Sequence, residues 1–319
     1  MESGKPVSVS GRYDATSSRR RALSVMLGVC GWLPKALEGA GATAPLRLAI
    51  SESLVSDANI NDARAAMMTW LKRMEVDLNL IIEFSPKVFD TTEDIVRRAR
   101  TGQLDAVSLN IVEYRQIADV LDPSQIIADS SAAGADQYVL LVKRSSGARR
   151  LSDLRGLRLT MLKGNRMCVA TAWLSTLLED GHLGRSDQFF SSVTTDTKAS
   201  RVVLPVFFGQ ADACLTSKRG FDTMGELNPQ VSRYLVAVAT SPGLVVTFNA
   251  FHKNYHGAGR ERFLKVYTDL PNNPAGRQLA TLFQFQSLVV RDASCLEPAL
   301  AILEAAERVR ARQTAGERK

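Results

Sequence analysis

The residues best placed to do chemistry are Lys163-Gly164-Asn165-Arg166, which follow an apolar run and open a helical pattern. Amide N–H groups at a helix start point outward and carry a partial positive charge. Gly164 lets a ligand approach the backbone, Arg166 offers a planar fork for a carboxylate or phosph(on)ate, and Lys163 adds a point charge. Ser51-Glu52-Ser53 forms a second polar turn. Its hydroxyls suit a ligand's polar groups, while Glu52 would repel an anion or pair with Arg166. Asn110 and Tyr114, one helical turn apart, make an amide–phenol clamp. Asp196 and Thr216 stand at further element ends, where capping competes with ligand contact.

Catalysis has no comparable constellation. The only histidines are His182, His252 and His256. His252 and His256 are four apart but lack the glutamate of the zinc-protease pattern. There is no G-x-S-x-G elbow, no Gly-Lys-Ser/Thr phosphate loop, and no base beside Cys168. No catalytic residue, metal or cofactor is expected.

The candidates need elements to hold them. Apolar runs predict strands at 46–50, 78–84, 105–109, 137–143, 157–162, 189–193, 211–216, 234–239 and 244–248. Helical periodicity and capping residues predict helices at 57–74, 91–101, 112–120, 167–179 and 198–208, with a mostly helical remainder from 260. Such alternation implies βαβ units on parallel sheets. The strands near 137–143 and 244–248 are long enough to cross between two α/β units. That gives a discontinuous first lobe, 43–142 with 243–319, and a second lobe, 143–242. Ligands in such clam-shells sit at strand C-termini facing the cleft.

The chain has 319 residues, 45% hydrophobic and 23% charged, which excludes disordered, collagen-like and disulfide-stapled classes. Residues 1–42 hold six of the Lys/Arg and three of the Asp/Glu, so the net +7 falls to +4 beyond them. Sparse aromatics and the lack of a basic run argue against a nucleic-acid partner.

Ser18-Arg19-Arg20-Arg21 precedes a charge-free run from Ala22 to Leu33, then Ala40-Gly41-Ala42. This order reads as an export signal cleaved near Ala42, giving a periplasmic protein; the paired arginines leave the twin-arginine and general routes both open. A bilayer span needs about 20 apolar residues, so none is expected in the mature chain. Leu27-Gly28-Val29-Cys30 departs from a lipoprotein box, with Val29 where a small residue belongs. Cys168, Cys214 and Cys295 remain after cleavage and read as buried apolar residues, with one Cys168–Cys214 bridge left open.

Four segments carry a family resemblance: Leu48-Ala49-Ile50-Ser51-Glu52-Ser53; Gly102-Gln103-Leu104-Asp105-Ala106-Val107-Ser108-Leu109-Asn110 with Tyr114; Tyr138-Val139-Leu140-Leu141-Val142 leading to Leu151-Ser152-Asp153-Leu154-Arg155-Gly156; and Gly209-Gln210-Ala211-Asp212-Ala213 with Ser241-Pro242. In this order the chain resembles the periplasmic substrate-binding proteins of ABC transporters, in the phosphate/phosphonate-type branch of the type 2 fold. The resemblance implies a two-lobed α/β clam-shell with two hinge crossover strands. It also implies a monomer that captures a small anion, phosphate- or phosphonate-like, for a membrane ABC permease. A receptor kinase is the alternative partner, and a carboxylate, sulfonate or vitamin precursor the alternative ligand. Two departures stand out. The branch's Ser/Thr-rich turn is here Lys163-Gly164-Asn165-Arg166, and its His-Asp pair is here Thr195-Asp196.

Overall fold

The computed structural model describes residues 44–56, 58–129, 136–257, 259–283 and 285–316. The expected export signal at 1–42 lies outside them. Two mixed sheets organise the chain. The first holds β1 (Leu46–Ile50), β2 (Ile82–Glu83), β3 (Ala106–Asn110), β4 (Leu121–Asp129), β10 (Thr247–His252) and β11 (Leu288–Arg291), in the order β11-β4-β10-β3-β1-β2. The second holds β5 (Tyr138–Lys143), β6 (Arg158–Leu162), β7 (Ser192–Asp196), β8 (Ala213–Ser217) and β9 (Leu235–Thr240), in the order β7-β6-β8-β5-β9.

β1 pairs parallel with β2 and β3, and β6 with β7 and β8. β10 and β5 run antiparallel to their neighbours. The expected parallel sheets are therefore mixed, for a physical reason. The parallel strands end at the cleft, whereas a strand arriving from the other lobe enters there, so it must run the opposite way.

The two crossings are themselves paired. Asp136 N donates to Leu244 O at 2.7 Å and Leu244 N to Asp136 O at 2.9 Å. Ser241 N donates to Tyr138 O at 2.9 Å, and Tyr138 N to Ser241 Oγ at 2.8 Å. β5, expected as a crossing strand, pairs within the second sheet.

On one face of the first sheet lie α1 (Ile60–Leu78), α9 (Gly259–Thr268) and α10 (Pro274–Leu282), joined in one core by Met67, Trp70, Leu71, Phe263, Tyr267 and Leu279. Asn59 starts α1 by accepting from Asn61 N and Asp62 N, and left-handed Asn79 ends it. Trp70 and Tyr267 meet edge to face at 5.1 Å. The other face takes α2 (Thr92–Arg100) and the single turn α3 (Ile111–Tyr114). The second sheet is covered by α4 (Ala170–Asp180) and α5 (Ser186–Phe189) on one side. On the other lie α6 (Ala199–Phe208), α7 (Lys218–Leu227) and α8 (Pro229–Tyr234). The C-terminal α11 (Glu297–Gly316) packs on α4 rather than with the first lobe alone. One apolar cluster runs from Val107 and Phe248 through Leu296 and Leu303 to Trp173 and Leu215. It joins the two lobes behind the cleft.

Several expected elements differ. The strand expected over 78–84 keeps only Ile82–Glu83, because α1 runs on to Leu78 and its cap uses Asn79. The helix expected over 112–120 stops at Tyr114. The segment after it is β4, which the sequence hid: Pro123 sits where its register to β10 shifts, and Ser124 N donates to Asp122 Oδ1 at 2.9 Å as in a turn. Residues expected to begin a strand at 189 end α5, and β7 starts at Ser192. Cys168, Cys214 and Cys295 are free thiols. Among the described residues, no helix is long and apolar enough to cross a membrane.

Gly276 fixes the entry of α10. A Cβ there would lie 1.9 Å from the Leu270 carbonyl oxygen, a backbone atom that cannot swing aside. Gly276→Ala is therefore expected to lose about 2–3 kcal/mol in urea unfolding. A loss below about 0.5 kcal/mol, the range of neutral surface changes, would refute the clash.

Candidate functional site

A cavity of ≈ 80 Å³ opens where the strands of the first sheet end. Ile50 and Leu54 flank the first polar turn, Ser108 comes from β3, and Thr247, Phe248 and Asn249 come from β10. Its inner wall is apolar, with Trp70, Tyr267, Leu279, Phe283 and Phe285. The second lobe contributes Asn165 and Arg166. The cavity thus lies between the lobes but reaches into the core of the first.

Arg166 is held tightly. Its Nη1 donates to both Asp136 carboxylate oxygens at 3.0 and 2.8 Å, and its Nη2 to Phe283 O at 3.0 Å. Asp129 Oδ2 lies 3.9 Å from Arg166 Nη2 and 3.1 Å from Arg219 Nη2. Tyr138 Oη donates to Arg166 O at 2.8 Å. The Asp136 side chain is only 5% exposed. Burial pushes its carboxyl above the usual carboxylate range, against the pull of Arg166 and Arg219. The fork expected to await an anion is therefore already charge-matched. Guanidinium nonetheless carries five N–H donors, and the bonds to Asp136 and Phe283 use three at most.

The turn before it also differs from expectation. Asn165–Met167 is a 3-10 turn, and α4 begins only at Ala170. Met167 N donates to Gly164 O and Cys168 N to Asn165 O, so these amides serve the turn rather than a ligand. Gly164 has φ 147° and ψ 175°, a conformation that favours glycine. Lys163 N donates to Asp196 O at 2.8 Å, and its side chain is not in the cavity wall.

The first-lobe turn is occupied from within. Glu113 is 5% exposed. Its Oε1 accepts from Ser51 Oγ at 2.5 Å and Thr92 Oγ1 at 2.9 Å. Its Oε2 accepts from Ser53 Oγ at 3.2 Å and Asn110 N at 2.9 Å. Asn110 Oδ1 in turn accepts from Val112 N and Glu113 N, and Asn110 Nδ2 donates to Ser53 Oγ. Ser51, Ser53 and Asn110 come together around a side chain that was not foreseen. The spacing Asn110-x-x-Glu113 is a capping box, and that signal could have found it.

The remaining candidates stand apart from the cavity. Tyr114 is buried against Phe248, ring centroids 5.3 Å apart, and serves the core. Glu52 is exposed and outside the cavity wall. Asp196 Oδ1 accepts from Lys198 N at 2.8 Å, in a turn that precedes α6. Thr216 is wholly buried, with its Oγ1 lacking a hydrogen-bond partner, and does not line the cavity. His252 is buried, its Nδ1 accepting from Asn254 N at 3.2 Å. Among the described residues no group of three His, Cys, Asp or Glu is placed to hold a metal ion.

The profile of the family described as "ABC transporter, phosphonate, periplasmic substrate-binding protein" matches residues 53–295, well over half of the chain. The chain belongs to that family. Solved binding proteins share its fold. A Xanthomonas citri protein, XAC2383, bound to ATP is 15% identical with a TM-score of 0.57, covering 84% of this chain and 99% of that one. PhnD1 from Prochlorococcus marinus, in complex with methylphosphonate, is 15% identical with a TM-score of 0.54, covering 83% and 98%. A binding-protein component of an ABC phosphonate transporter from Pseudomonas aeruginosa is 13% identical with a TM-score of 0.53, covering 84% and 88%. No curated protein matches.

The architecture is therefore the type 2 clam-shell, and the chain is a substrate-binding protein of an ABC transporter. Such proteins work outside the cytoplasm, bind a small molecule, deliver it to a membrane permease and perform no chemistry on it. For this binding protein the sequence missed Asp129 and Asp136, which lie in segments without a helix or strand signal strong enough to place them, and Phe283 at the end of α10. It also missed Trp70 and Tyr267, whose spacing reads as core.

Proposed function

We propose that this binding protein captures a small organic oxyanion of the phosphonate class with a short apolar substituent. The observation that carries the reading is one guanidinium, Arg166, in the wall of a mainly apolar cavity between the lobes, whose other polar lining residues are Ser108, Asp129, Asn165, Thr247 and Asn249. An acidic head would take the donors of Arg166 left over from Asp136, with Ser108 and Asn249 also in the cavity wall. The alkyl group would face Trp70 and Tyr267, where burial contributes about 0.8 kcal/mol per CH₂. Contacts from both lobes would favour the closed arrangement. Of the candidates named from sequence, Asn165 and Arg166 are proposed to touch the ligand. Ser51, Ser53 and Asn110 are proposed to shape the wall behind it. The protein is proposed to act as a monomer, exported by a signal cleaved near Ala42.

Isothermal calorimetry on the mature chain tests this. Methyl-, ethyl- and propylphosphonate are expected to bind more tightly than inorganic phosphate, because phosphate leaves the apolar wall unfilled. Phosphate binding equal to or tighter than all three would overturn the reading.

A further inference from the structure

The hydroxyl-rich pocket of the first lobe is built like an anion site. Three donors come from three separate places: Ser51 just after β1, Thr92 at the start of α2, and the Asn110 amide at the end of β3. Ser53 Oγ adds a fourth. Strand C-termini and helix starts converging on one point are where α/β folds hold ligands. The pocket adjoins the cleft, since Ile50, Leu54 and Ser108 beside it line the cavity.

A capping box alone asks only that the glutamate accept from its own cap amide. Here the same carboxylate also gathers three hydroxyls from two other elements and is nearly closed off from water. We propose that Glu113 is a resident anion, a side-chain carboxylate filling a first-lobe oxyanion seat that would otherwise bind a free one. It acts as a specificity residue. With that seat filled, the acidic head of a cleft ligand has Arg166 of the second lobe as its anchor and gains nothing from the hydroxyls of Ser51, Ser53 and Thr92. A solute with two acidic ends, or a head needing the hydroxyls of that seat, is turned away. This inference rests on the cleft reading for its consequence, but the seat itself can be tested without any cleft ligand.

Glu113→Ala empties the seat, and acetate is the probe. Thermal unfolding of the variant is followed with sodium acetate, and with acetamide at matched ionic strength. The variant is expected to melt well below the wild type. Acetate at about ten times its dissociation constant should raise its Tm by about 3 °C. Acetamide should do less than half of that, and the wild type should not respond to acetate beyond the sodium chloride control. Equal rescue by acetamide would show a seat for shape rather than charge and overturn the proposal. So would no rescue, or an equal acetate response in the wild type. If Glu113→Ala does not fold alone, its refolding yield with acetate against acetamide reads the same question, and equal yields overturn it. Failure here would leave alkylphosphonate binding at Arg166 standing, and loss of that binding would leave acetate rescue standing.

Discussion

Arg166→Met is expected to destabilise the ligand-free protein by about 3–5 kcal/mol, the range for removing one partner of a buried ion pair. The side chains of Arg166 and Asp136 are 14% and 5% exposed, so little water is available to take over from the lost guanidinium. Asp136 would be left opposite Arg219 alone, at the point where the two crossings pair through Leu244. The Phe283 carbonyl would lose its donor as well. The double variant Arg166→Met/Asp136→Asn is expected to recover more than half of the loss, because no buried charge is then uncompensated. Urea unfolding of the four proteins measures the coupling. A single-variant loss under about 1 kcal/mol, the ordinary worth of an exposed pair, would show that Arg166 is solvated and that the cavity mouth is open to water.

That cycle also explains what the sequence could and could not announce. The turn Lys163-Gly164-Asn165-Arg166 was legible as a turn following a second-lobe strand because its residue types and its place after an apolar run are local facts; of its four residues only Asn165 and Arg166 line the cavity. Strands β1, β3, β5, β6 and β8 were legible for the same reason, as short apolar runs bounded by turn residues. The partner of Arg166 was not. Asp136 lies 30 residues earlier in a stretch without periodicity, and Phe283 lies 117 residues later at the end of α10. Their meeting depends on how the lobes fold back on each other. β4 was hidden because Pro123 and Asp122 read as a loop, and only pairing with β10 and β11 makes it a strand. Tyr114 shows the opposite error. Its spacing from Asn110 was read correctly, but α3 ends after one turn and directs the ring into the core against Phe248.

Anion affinity is expected to rise as pH falls, and Asp136 is the reason. Burial holds its carboxyl above the usual carboxylate range, so it takes up a proton before ordinary aspartates do. An ionised Asp136 beside Arg166 opposes an incoming oxyanion. Protonating it removes that opposition and returns the guanidinium to the ligand. The linkage has a definite sign: a bound anion raises the carboxyl's proton affinity further, so binding takes up protons and affinity climbs on acidification. One proton limits the slope to about tenfold per pH unit. Methanesulfonate is the right probe, because it keeps a single charge throughout, whereas an alkylphosphonate changes its own charge near neutrality. Asp136→Asn should flatten the profile and tighten methanesulfonate binding at neutral pH, by on the order of tenfold for removal of one nearby charge at high effective dielectric. Calorimetry in buffers of different ionisation enthalpy counts the protons directly. Binding that releases protons, or a profile that keeps its slope in Asp136→Asn, would move the titrating group elsewhere and leave Asp136 as a structural counter-ion of the hinge.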